Sequence, residues 1–104
     1  MAKKRKHQRV KIEIRVASKD HFNRGFTRNV SVGGCFIEKS DDFNLLPIGR
    51  KIPLFLEIPG EYAYIEIEGV VKHHGKEEEG MGIYFESTNR RIQSLIDKFL
   101  QNHT

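Results

Sequence analysis

Short segments in which apolar and polar residues alternate one by one constrain the fold of this chain more than any other feature. The clearest runs from Val10 to Val16, and further candidate strands cover 25–31, 34–39, 52–58, 62–73 and 81–85. A period of two is typical of a strand with one buried and one exposed face. Turn residues such as Pro59-Gly60 separate the segments, so the sequence predicts six short strands joined by hairpin-length connections.

The last segment has the period of a helix. Its apolar residues recur at i, i+3, i+4, i+7 and i+8, namely Ile92, Leu95, Ile96, Phe99 and Leu100. This spacing forms a single apolar stripe. Ser87, Thr88 or Asn89 can cap the N-terminus, so we predict a helix over about 88–102. The pattern predicts an all-β fold with a C-terminal helix, a six-stranded antiparallel β-barrel whose helix covers an open end.

The distribution of charge divides the chain into an arm and a barrel. The formal net charge is +4, and residues 1–9 carry Lys3, Lys4, Arg5, Lys6 and Arg9 without any acid, which leaves −1 for the rest. We therefore interpret 1–9 as a basic N-terminal arm and 10–104 as one near-neutral domain. General nucleic-acid binders spread positive charge over a face, whereas a short arm suits a compact anion.

No apolar run in the sequence is long enough to cross a bilayer, and none follows the basic start as a signal peptide requires. We therefore expect a cytoplasmic protein. Cys35 is the only cysteine, and its apolar neighbours favour a small buried side chain over a reactive thiol.

Two short motifs carry the candidate chemistry. Arg5 and Arg9 form an RxxxR motif. The planar guanidinium of arginine can bind phosphate bidentately, read the edge of a guanine or stack on a purine. On its own, the motif also fits a solvated basic tail.

The second motif is NxSxxG, formed by Asn29, Ser31 and Gly34. Strand geometry predicts that Asn29 and Ser31 share one face together with Thr27. The amide and the hydroxyl can bond to a base edge or a phosphate oxygen. Gly33 and Gly34 would let backbone amides approach a ligand, although an ordinary turn is the favoured explanation of this motif when it stands alone.

The order and spacing of the two motifs, the barrel pattern and the late segment GMGIYF (80–85) together resemble the PilZ domain family. The resemblance extends from Arg5 to the final helix. It implies a six-stranded antiparallel barrel that binds the bacterial second messenger cyclic di-GMP.

The resemblance also implies roles for individual residues. Arg5 and Arg9 would grasp guanines and phosphates, while Asn29, Ser31 and Gly34 would form the floor of the site, with Gly33 beside them. Lys4, just before RxxxR, adds a cation that would favour a stacked pair of ligand molecules.

No pattern in the sequence indicates an enzyme or a metal site. His73 and His74 are adjacent, so on a strand they point apart, and the other histidines lack ligand spacing. Ser31 has no nucleophile elbow around it. We therefore expect no catalytic residue, no metal and no cofactor, with cyclic di-GMP as a ligand only.

A receptor of one domain has to act through another protein. We expect that ligand binding changes the arm and the surface around it, which an unidentified partner in motility, pilus or exopolysaccharide machinery then recognises. The alternative is a small RNA- or DNA-binding barrel that uses its basic arm. The sequence shows no stacking platform of aromatic residues on strands, which disfavours it, although Tyr62, Tyr64 and Tyr84 could face outward.

Overall fold

The computed structural model describes residues 9–19, 21–41, 43–58, 64–86 and 88–102. Seven strands and one helix are assigned within these ranges. In chain order they are β1 (Val10–Lys11), β2 (Arg15–Ser18), β3 (Phe22–Ser31), β4 (Gly34–Glu38), β5 (Lys51–Glu57), β6 (Ile65–His74), β7 (Gly80–Phe85) and α1 (Arg90–Gln101).

The strands close into a six-stranded antiparallel barrel. Going around the sheet, the order is β3-β2-β5-β6-β7-β4, and a pairing between β4 and β3 completes the ring. β1 pairs with β3 beyond the end of β2, so β1 and β2 are two halves of one broken strand. The predicted fold, an antiparallel barrel of six strands with a C-terminal helix, is confirmed.

A buried hydroxyl accompanies the break between β1 and β2. The segment between Lys11 and Arg15 holds one residue more than the stretch of β3 opposite it. Thr27 fills the gap, because its Oγ1 accepts a hydrogen bond from Ile14 N at 2.8 Å and donates one to the Ile12 carbonyl at 2.8 Å. Backbone groups that the interrupted pairing would leave without partners are therefore bonded.

The other edge of β3 is irregular at the next residue. Thr27 pairs with Ile37 on β4 but Asn29 pairs with Phe36, so Arg28 is an extra residue on β3. Such a bulge reverses the alternation of side chains beyond it. Thr27 is 2% exposed and faces the interior, whereas Asn29 and Ser31 lie on the outer face. The prediction that Thr27 shares a face with Asn29 and Ser31 is therefore wrong.

The core lies inside the barrel and beneath α1. Asn89 caps the helix, since its side chain accepts a hydrogen bond from Ile92 N at 2.9 Å. The helical stripe buries Ile96, Phe99 and Leu100 against the core residues of the strands. Among the described residues, no helix has the length and apolar character needed to cross a membrane.

Substituting Thr27 with Val should lower the free energy of unfolding by about 1–3 kcal/mol, because the variant keeps the shape but leaves the Ile14 amide without its acceptor. Chemical denaturation measures the effect. Thr88→Val is the matched control, because Thr88 Oγ1 bonds only an exposed glutamine side chain in the described structure. Equal stability of the two variants would contradict the role of the Thr27 hydroxyl.

Candidate ligand-binding site

The two sequence motifs meet on the outer surface of the barrel. Arg9 Nη1 donates a hydrogen bond to Asn29 Oδ1 at 2.8 Å, and both side chains reach solvent. The pairing of β1 with β3 sets Val10 opposite Val30 and Lys11 opposite Asn29. Arg9 therefore lies near the end of β3, and its long side chain reaches back past Val30 to Asn29. Arg5 and Lys4, the other predicted residues of the arm, lie outside the described residues.

Ser31 organises the turn between β3 and β4. Its side chain is buried, with 4% exposure. Its Oγ donates to the Gly34 carbonyl at 3.3 Å and accepts from Gly33 N at 3.2 Å. The hydroxyl therefore holds the two glycines in place, and its predicted contact with a ligand stays a prediction.

Gly34 has a packing role that the motif alone did not reveal. It pairs with Tyr84 on β7, and a Cβ at this position would collide with the carbonyl oxygen of Ile83. Only glycine lets the two strands approach so closely here.

A groove of about 130 Å³ crosses this surface from Arg9 towards β6. It is lined by two cations, three glycines, two aromatic rings and one apolar residue: Arg9, Lys72, Gly33, Gly34, Gly82, His73, Tyr84 and Ile83. Positive charge, open backbone and flat rings together suit a phosphorylated purine.

Strands β6 and β7 place the rings of the groove. The His73 imidazole occupies the space where a Cβ of Gly82 would lie, and it stacks on Phe36 with centroids 6.2 Å apart. Lys72 Nζ lies 5.5 Å from the centroid of the Tyr84 ring. Sequence reasoning did not assign Lys72, His73 or Tyr84 to the site. They lie about 40 residues or more beyond Asn29, and only strand register brings them to it.

Arg28 is held apart from this groove. Its guanidinium pairs with Glu38 and, at 2.8 Å, with Glu78 in the turn between β6 and β7. Two carboxylates neutralise this cation, so Arg28 adds little to the positive charge available to a ligand.

Cys35 lies in the core beneath the site and is fully buried. Burial raises the pKa of its thiol to about 12, and the nearby Arg9 guanidinium offsets only part of that shift. The thiol therefore stays protonated at neutral pH, where a nucleophilic cysteine would need a thiolate. The prediction of a small buried side chain is confirmed.

The adjacent histidines have different partners, as the strand pattern predicts. His73 stacks on Phe36, while His74 Nε2 lies 2.7 Å from the Leu46 carbonyl. In the part of the chain that the structure describes, no three histidine, cysteine, aspartate or glutamate side chains are grouped to hold a metal ion.

A larger groove, about 340 Å³, lies between the start of β6 and helix α1. It contains no residue of either motif, and its two charged residues, Glu66 and Arg91, have opposite signs. The smaller groove at Arg9 is lined by two cations and no carboxylate, so it suits an anionic ligand better, and we place the candidate site there.

Comparison with known proteins agrees with this architecture. The family model of the PilZ domain matches residues 3–102. The chain belongs to the PilZ domain family. Curated protein sequences give no match.

Solved structures include a similar fold. The structure of the Bacillus subtilis inhibitor of motility (MotI/DgrA) superposes with a TM-score of 0.81 at 18% identity, covering 98% of this chain and 52% of that chain. At this identity the likeness shows the fold. The chain spans about half the length of that structure.

Replacing Ser31 with Ala should reduce the free energy of unfolding by about 1 kcal/mol, because the Gly33 amide loses its acceptor inside the turn. Thermal or chemical unfolding checks this. Ser94→Ala, on the exposed side of α1, is the control and should leave stability unchanged or slightly raised. If Ser31→Ala is as stable as the control, the hydroxyl does not organise the turn.

Proposed function

We propose that this protein is a cyclic di-GMP receptor that regulates a partner protein. The observation that carries the proposal is the 2.8 Å hydrogen bond from Arg9 to Asn29, which joins the RxxxR and NxSxxG motifs at one end of a cationic groove. PilZ domains are cyclic di-GMP receptors and adaptors rather than enzymes, which supports a binding role for this chain.

The chemistry of the groove suits the ligand. Cyclic di-GMP offers two phosphates, two guanine edges and two purine faces. Arg9 can bind a phosphate with its fork or stack on a base. Asn29 accepts from Arg9 through Oδ1, and its amide nitrogen can donate to a guanine or phosphate oxygen. Gly33 and Gly34 line the groove, so a ligand there can approach the backbone of the turn.

Two further residues complete the proposed site. Arg5 supplies the second fork of RxxxR, and Lys4 supplies a further cation for the stacked ligand pair. Both lie outside the described residues, and their assignment rests on the motif.

A nucleic-acid-binding barrel is the weaker interpretation. Tyr64 and Tyr84 are 59% and 52% exposed. Tyr64 lines the groove beside α1, whereas Tyr84 lines the groove at Arg9. The two rings therefore do not form a common platform on which successive bases could stack.

The receptor would act on bacterial motility, pilus or exopolysaccharide machinery in the cytoplasm. The structural neighbour from B. subtilis is an inhibitor of motility, which makes a component of the motility machinery the first partner to test. Capture of such a component only in the presence of cyclic di-GMP would support this assignment. Equal capture without the ligand would contradict it.

Binding should be measured by calorimetry with cyclic di-GMP, GMP, GTP and a single-stranded RNA. We expect saturable binding of cyclic di-GMP in preference to the mononucleotides, weakening as salt rises because phosphate neutralisation drives it. Arg9→Ala and Arg5→Ala should each reduce affinity about ten- to hundred-fold, since a charge-assisted hydrogen bond contributes about 1.5–3 kcal/mol. Ser31→Ala should weaken binding less.

Arg24→Ala is the matched control, because it removes an exposed arginine from the far part of β3. It should bind like the parent, and all of these arginine variants should stay within about 0.5 kcal/mol of the parent in stability. If Arg9→Ala or Arg5→Ala bound cyclic di-GMP like the parent, the assignment of that arginine to the site would be wrong. Binding of RNA but not of cyclic di-GMP would overturn the receptor function.

Ligand binding should also change the arm. Its five cations repel one another, and two ligand phosphates would cancel part of that repulsion and bring the arm against the barrel at Arg9. Hydrogen exchange should therefore show greater protection of Lys3 to Arg9 with cyclic di-GMP than without it. Equal protection in both states would rule out the arm as the signal that a partner recognises, even with binding confirmed.

A further inference from the structure

We propose that Lys72 and Tyr84 form the far wall of the cyclic di-GMP site, opposite Arg9. Lys72 binds one of the two phosphates, and Tyr84 stacks on a purine. Neither residue belongs to RxxxR or NxSxxG. The inference rests on the proposed function and adds two residues that determine which nucleotide the site accepts.

Strand register brings Tyr84 to the site. Ser31 lies opposite Gly34 on β4, and Gly34 lies opposite Tyr84 on β7. Neighbouring strands are about 4.8 Å apart, so Tyr84 stands about 10 Å from Ser31 across the sheet. Gly34 and Tyr84 both line the groove, so the groove connects the turn to the Tyr84 ring.

Lys72 supplies a second cation to the same groove. Arg9 directly precedes β1, which lies beside β3, and Lys72 is on β6, so β4 and β7 lie between the two cations. Among the described residues, no carboxylate forms an ion pair with Lys72, whereas Lys51 pairs with Glu86 at 3.3 Å and Arg28 with two glutamates. The charge of Lys72 is thus available to an anion.

The Tyr84 ring is placed to bind a base. It is 52% exposed although it lies on a strand of the barrel. The Lys72 ammonium lies 5.5 Å from the centroid of the Tyr84 ring. It can therefore neutralise the phosphate of a nucleotide whose base stacks on that ring. Base stacking on an aromatic side chain is strong enough to change affinity about ten-fold when the ring is removed.

This arrangement favours nucleotides that carry two separate phosphate groups. A cyclic dinucleotide carries two separate phosphates and can engage Arg9 and Lys72 together. GMP carries one phosphate group and can bind either Arg9 or Lys72 through it, but not both. Lys72 therefore contributes more to the affinity for cyclic di-GMP than to the affinity for GMP.

The test compares Lys72→Met with Lys19→Met by calorimetry at several salt concentrations. Both variants lose one positive charge, but Lys19 lies in the turn after β2, at the far end of β3 from the site. We expect Lys72→Met to bind cyclic di-GMP about ten-fold more weakly, with a shallower salt dependence. Lys19→Met should stay within about two-fold of the parent. Lys72→Gln repeats the test with a polar side chain.

The ring is tested with Tyr84→Phe and Tyr84→Ala. Phe keeps the stacking face and should bind like the parent, whereas Ala should bind about ten-fold more weakly. Thermal unfolding of each variant confirms that the barrel is intact.

The outcomes separate this inference from the proposed function. If Arg9→Ala loses binding while Lys72→Met and Tyr84→Ala bind like the parent, the far wall is wrong and the receptor function stands. Equal losses of affinity in Lys72→Met and Lys19→Met would also contradict a role for Lys72 in the far wall, since the change in net charge alone would explain them. A parent protein that does not bind cyclic di-GMP overturns both.

Discussion

The interrupted pairing around Thr27 decides which side chains face the candidate site. The Thr27 hydroxyl bonds to the backbone of Ile12 and Ile14, where β1 and β2 are interrupted, and Arg28 is an extra residue on β3. Together they turn Asn29 and Ser31 outward while Val30 returns to the core. With regular alternation, either Thr27 would face solvent or Asn29 would face the apolar interior, where an unpaired amide is costly. The bond from Arg9 to Asn29 depends on this reversal.

The NxSxxG motif stabilises the fold in addition to its proposed role in binding. Ser31 holds its own turn through Gly33 and Gly34, and Gly34 permits the close approach of β7. The same glycine lines the groove between the turn and Tyr84. The motif therefore stabilises the turn and also supplies the residues proposed to bind the ligand. Loss of Ser31 would affect both stability and binding.

Two cations of the described barrel surface lie together at the candidate site. Arg28 is neutralised by Glu38 and Glu78, and Lys51 is paired with Glu86. Arg9 and Lys72 instead line a common groove. Since the sequence after residue 9 sums to −1, attraction of an anion depends on this local placement and on the arm rather than on the overall charge of the barrel.

The sequence by itself determined the strands, the final helix and the two motifs, because alternation, helical spacing and short motifs are properties of neighbouring residues. It also determined the buried state of Cys35. Only the tertiary structure decided that the first strand breaks, that Thr27 faces inward, and that Lys72, His73 and Tyr84 lie beside Arg9. Strand register decides these features. A shift of one residue reverses a side chain's face, and pairing between distant segments depends on the whole closed barrel.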